Sequence, residues 1–172
     1  MLTEFSSKEN IKDTLYMIKR KSLRIMHAMY PLSIGLVIFA DPLYKLMFSP
    51  EFSRSADIFI VYLLTIISRM LFPHTILMGL KKNRPVLIVA IIEVVINISL
   101  SLWLVTHYGA VGVALGTIIA YFIAKITLII YNYVRMNISP MEYIPVKWYV
   151  GYSILLGAVF LLFDRGIVTI WG

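Results

Sequence analysis

A chain of 172 residues that is 60% hydrophobic and only 15% charged lacks the polar surface a water-soluble domain needs. Its net charge of +7 gathers in short connectors between long apolar runs, which reads as membrane topology and attraction to anionic lipid; no nucleic-acid partner is expected. The absence of cysteine removes disulfides and thiolate metal sites from consideration.

Residues 1–24 are polar and charged, without the apolar core of a cleavable signal peptide. Ser6 and Glu9 stand at capping-box spacing and start a helix through Ile11, Leu15 and Ile18. This stretch, 1–24, is expected as a cytoplasmic amphipathic lead-in whose Lys8, Lys12, Lys19, Arg20, Lys21 and Arg24 meet the headgroups. The remainder, 25–172, is expected to form a transmembrane bundle with spans near 25–48, 55–80, 85–106, 109–134 and 147–163. Each approaches the roughly 20 apolar residues that cross a bilayer as a helix, where backbone groups have no water to bond. The fold class is therefore all-α integral membrane, a bundle of about five transmembrane helices.

Basic connectors stay on the cytoplasmic side during insertion. Lys81, Lys82 and Arg84 place the turn after the second span inside, as Arg135 and Lys147 do for the connector after the fourth. The stretch 41–57 and the tip at His107 and Tyr108 fall outside. The protein is expected to be multi-pass in the cell inner (plasma) membrane, with a cytoplasmic N-terminus. Trp103, Tyr108, Tyr131, Tyr133, Tyr143, Trp148 and Tyr149 flank the boundaries, as interfacial aromatic belts do.

In the first span Pro31, Gly35 and Asp41-Pro42 predict a bend or break, either part of a binding site or a kink near the membrane exit. The second span carries Arg69 about 18 Å from the cytoplasmic turn at ~1.5 Å per residue. An arginine facing lipid there costs from ~3 to above ~10 kcal/mol, so it is expected to face a bundle interior or an aqueous path. Pro73 deprives the Arg69 carbonyl of its helical donor and predicts a kink.

The third span sets Glu93 and Asn97 on one face, four residues apart. By the same rise His74 matches Glu93 in depth and Arg69 matches Asn97, so the two helices are expected to share one polar layer. The candidate substrate path is Arg69, His74, Glu93 and Asn97, with Arg69 receiving an anionic group and Glu93 exchanging a proton. The alternative is a network that only holds helices together, an equal reading for His74 and Asn97. In the fourth span Gly109, Gly112, Gly116, Ala120 and Ala124 form a smooth stripe for close helix packing, and Lys125 is expected to snorkel to the headgroups. No metal motif, phosphate loop or nucleophile set is present, so no enzyme activity, cofactor or metal is expected.

The order Pro31, Gly35, Asp41-Pro42-Leu43, Phe48 and Phe52, a span ending in Gly79, then Asn97, then Tyr108-Gly109-Ala110-Val111-Gly112-Val113-Ala114 with Thr117, resembles the C-terminal half of polysaccharide biosynthesis flippases. These are the O-antigen and capsule type within the multidrug, oligosaccharidyl-lipid and polysaccharide exporter superfamily. The resemblance covers about residues 1–165 and implies part of the C-terminal lobe of a two-lobe exporter, with a missing N-terminal lobe as partner. It implies alternating access that carries undecaprenyl-linked oligosaccharide from the cytoplasmic to the outer leaflet for O-antigen, capsule or exopolysaccharide synthesis, with a coupling ion, proton or sodium. Arg69 best suits the cationic cavity of that family. A multidrug cation antiporter of the same superfamily and a non-transporting membrane scaffold subunit are the alternatives.

Overall fold

A computed structural model describes residues 8–47 and 53–164. Ser6 of the expected capping box, and Phe48 and Phe52 of the resemblance, lie outside the described residues. All regular structure among the described residues is helical: α1 (Lys8–Met47), α2 (Ser53–Leu63), α3 (Thr65–Arg69), α4 (Pro73–Gly79), α5 (Asn83–Tyr108), α6 (Ala110–Met136), α7 (Pro140–Tyr143) and α8 (Val146–Asp164).

Among the described residues three helices are long and apolar enough to cross a bilayer: Ile11–Ala40 within α1, Asn83–Tyr108 and Ala110–Met136. Ile58–Arg69 and Pro73–Gly79 meet that test only as a pair bent by 46°, the geometry of a broken span or a re-entrant loop, and taken as one span they make a fourth. The apolar stretch Val146–Leu162 of α8, expected as the fifth span, is shorter. The protein is thus an all-α integral membrane bundle.

Helix α1 continues as one helix through the expected lead-in boundary at residue 24 and through Pro31 and Pro42, where a bend or break was expected, so the chain does not break there. Each proline removes a single amide donor while its fixed φ remains helical, and the rest of the ladder survives. Packing holds the helix together on both sides of Pro31, since Met26, Tyr30, Val37 and Ala40 are buried, and α1 lies against α2, α7 and α8. Its 40 residues reach about 60 Å at ~1.5 Å per residue, twice the hydrocarbon thickness of ~30 Å. The basic N-terminal part therefore extends beyond the apolar layer.

The tightest pair is α5 and α6, joined through Gly109 at φ 60°, a left-handed conformation that glycine adopts without Cβ strain. A Cβ on Gly116 would lie 2.7 Å from Ser101 Oγ and 2.8 Å from Ser101 N, and one on Gly112 would strike the Leu104 carbonyl. Only residues without a side chain permit this approach. The seam continues as Ala120, Ala124, Leu128 and Asn132, all buried at a spacing of four. Three apolar clusters complete the bundle. Leu15, Leu71, Ile76, Ile138 and Tyr143 join α1 to the α4 and α7 region. Met26, Tyr30, Val37, Met70 and Leu156 join α1, α8 and the broken span. Leu77, Val89, Ala124 and Leu128 knit α4, α5 and α6.

Candidate functional site

The site begins where the second crossing breaks. Pro73 opens α4 and has no amide hydrogen, so the helix ends at Arg69 and restarts after Phe72, whose φ of −115° and ψ of 44° leave helical geometry. This is the kink expected from Pro73, and it leaves Arg69 as the last residue of α3.

The Arg69 side chain is open at the surface of the bundle. Its Nη2 donates to the Tyr121 hydroxyl at 3.4 Å, a long bond, and its guanidinium carbon lies 5.3 Å from the centroid of that ring. The ring quadrupole thus supplies much of the attraction, leaving most guanidinium donors available. One turn further along both helices, Lys125 Nζ donates to His74 Nδ1 at 3.3 Å. That bond needs a lone pair on Nδ1, so the imidazole carries its proton on Nε2. Glu93, half-buried on α5, lies within electrostatic reach of Lys125 and, more weakly, of Arg69. No direct ion pair joins them among the described residues.

The polar layer expected between the second and third spans therefore runs through α6. Tyr121 and Lys125 stand four residues apart on one face of α6 and connect Arg69 and His74 to Glu93. Lys125, read from the sequence as a headgroup residue, directs its amine to His74 Nδ1. Asn97 leaves the Arg69 layer altogether. Its Oδ1 accepts from Ser101 Oγ at 3.0 Å and Thr117 Oγ1 at 3.3 Å, and both hydroxyls also reach the Val113 carbonyl, at 3.4 and 3.0 Å. The reason is geometric: the glycine seam brings α5 so close to α6 that Asn97 meets Thr117 before any residue of the broken span.

A second polar contact fixes the break. Buried Asn132 donates through Nδ2 to the Pro73 carbonyl at 2.9 Å. Its Oδ1 and the Tyr143 hydroxyl are buried without a hydrogen-bond partner among the described residues. Burial pushes the Tyr143 hydroxyl above its ordinary pKa, against a smaller opposing effect of Asn132. Asn132 thereby ties α4 to α6.

Sequence reasoning missed Tyr121, Lys125 and Asn132. The available signal was their register on α6, since Tyr121 and Lys125 share a face beside the small-residue stripe and Asn132 extends that stripe. Among the described residues no group of three or more His, Cys, Asp or Glu is placed to hold a metal ion. Chemically, the arrangement offers a cation with free donors, an aromatic face and a nearby carboxylate beside the bend between α3 and α4.

No curated protein and no solved structure matches the chain. The family model described as lipid II flippase MurJ matches residues 1–171, nearly the whole sequence; it accords with a lipid-linked flippase and does not single out the O-antigen and capsule type that the resemblance implied. A multi-pass helical bundle with an intramembrane arginine layer, matched over that length, belongs to the lipid II flippase MurJ family.

Proposed function

We propose that the protein carries lipid II, a polyisoprenyl pyrophosphate bearing a saccharide, from the cytoplasmic to the outer leaflet by alternating access, without covalent chemistry of its own. The observation that carries this reading is the open guanidinium of Arg69 held against Tyr121 at the broken crossing. A pyrophosphate has several anionic oxygens and takes guanidinium donors in pairs, and Arg69 keeps such donors free. A scaffold subunit would instead seal its arginine in a fully paired network. On this reading the basic start of α1 faces the cytoplasm, and the path runs from there past Arg69.

The ion that couples transport has two places to act. Glu93 suits proton exchange, while the neutral oxygens of Asn97, Ser101, Thr117 and Val113 suit a hard monovalent cation such as sodium. Sodium replacement by choline at constant pH separates the two.

The deciding experiment uses the protein in vesicles with fluorescent lipid II and a membrane-impermeant quencher. Arg69→Ala is expected to slow flipping about tenfold or more, as loss of a charged hydrogen-bonding group at a substrate site does. Flipping at the unaltered rate, with normal protein abundance, sinks the assignment. Movement of other undecaprenyl-linked saccharides but not lipid II would restore the O-antigen or capsule reading, and drug efflux alone the antiporter reading.

A further inference from the structure

A groove of about 510 Å³ lies apart from the Arg69 layer, between the basic part of α1 and the corner where α7 turns into α8. Its charged lining is Lys19, Arg20 and Lys147, and no carboxylate lines it. The nearby acid, Glu142, is engaged elsewhere, accepting from the Ser139 amide at 3.0 Å. Lys19 Nζ is already held toward the groove by the Met141 carbonyl, while Arg20 and Lys147 are exposed. The floor is apolar, with Ile144 and Pro145 buried, and Trp148, 52% exposed, forms a wall at the start of α8.

Three cations with no carboxylate among the described lining residues, an apolar floor and an indole at the first turn of an apolar helix specify an amphiphile at headgroup depth. Indole prefers that depth, and basic pockets between membrane helices take anionic headgroups. The volume falls within the range of small-ligand sites and suits a phosphodiester headgroup with the first part of its acyl chains. A soluble phosphate would leave the apolar floor uncovered. We propose that this groove binds the headgroup of an anionic diacyl phospholipid of the bilayer. Occupancy would brace the long α1 against the α7 and α8 corner, since the lining comes from all three elements.

The test reads Trp148 in the full chain reconstituted in vesicles, with Trp103 and Trp171 replaced by phenylalanine. Brominated phosphatidylglycerol and brominated phosphatidylcholine compete for contact with the indole and quench it. Wild-type lining is expected to prefer phosphatidylglycerol about tenfold, and the combined Lys19→Gln, Arg20→Gln and Lys147→Gln variant to lose that preference. Lys19→Arg with Lys147→Arg is expected to keep it, and millimolar inorganic phosphate to leave it unchanged. A parallel chain retaining only Trp103, at the far end of α5, checks folding of the triple variant. Should that control change, Lys147→Gln alone is read, with an expected loss of about fivefold. Equal quenching by the two lipids, or a preference that survives removal of all three charges in a folded protein, overturns the proposal. Abolition by inorganic phosphate also overturns it, in favour of a soluble anion.

Discussion

At the scale of single residues, the pairing of Arg69 with Tyr121 separates ring from hydroxyl. The bond to the hydroxyl is 3.4 Å and therefore weak, whereas the ring face lies 5.3 Å from the charge. Tyr121→Phe is accordingly expected to flip lipid II within about threefold of the normal rate, and Tyr121→Ala to fall about tenfold, in the vesicle assay. Asn132 behaves differently because it is wholly buried. Asn132→Ala removes the donor to the Pro73 carbonyl and leaves that buried oxygen without its side-chain partner. A loss of about 1–3 kcal/mol is expected, measured as a lowered unfolding midpoint in detergent. That Arg69, His74 and Glu93 stand near one another was legible from the sequence, because helical rise converts residue number into position along neighbouring helices. Which helix each would face was not legible. Rise says nothing about lateral order, so Lys125 read as a headgroup residue and Asn97 as a partner of Arg69, although α6 receives both His74 and Asn97.

At the scale of elements, the small-residue stripe of α6 was readable in detail, since spacing of three and four on a helix places side chains on one line. Its consequence can be tested against glycines that have room. Gly116→Val drives a side chain into the Ser101 backbone and is expected to cost about 1–3 kcal/mol in unfolding free energy. Gly157→Ala on α8, where nothing lies within 4 Å, is expected to be neutral in the same measurement. At the two prolines of α1, where a bend or break was expected, the helix does not end. Proline lowers the stability of a helix without setting its end, and the end comes only where, as at Pro73, packing also favours a new direction. There α4 is held by α6 through Asn132 and by buried Ile76 and Leu77. Pro31 has no such competing attachment and the helix continues.

At the scale of the whole molecule, the helical class followed from apolar length alone and the bend at Pro73 from its missing amide donor, whereas the partners each helix packs against depend on interhelix contacts. Orientation rests on charge distribution and has a direct test in a chain without cysteine. Single cysteines at Lys82 and at Tyr108 are expected to react with impermeant maleimide from opposite faces of a sealed vesicle, and Asn137→Cys from the same face as Lys82→Cys. Labelling of all three from one face would contradict the threading.

The seam along α6 also limits how this bundle can change shape. Tyr121 and Lys125 stand about 100° around the helix from Ala120 and Ala124, so any spin of α6 about its axis by one residue's arc would carry bulky groups into a gap sized for none. The hairpin of α5 and α6 must consequently travel as one rigid paddle. Whatever alternation this bundle undergoes is left to sliding or tilting of that paddle against the crooked crossing, with the Asn132 latch as the link that has to slip.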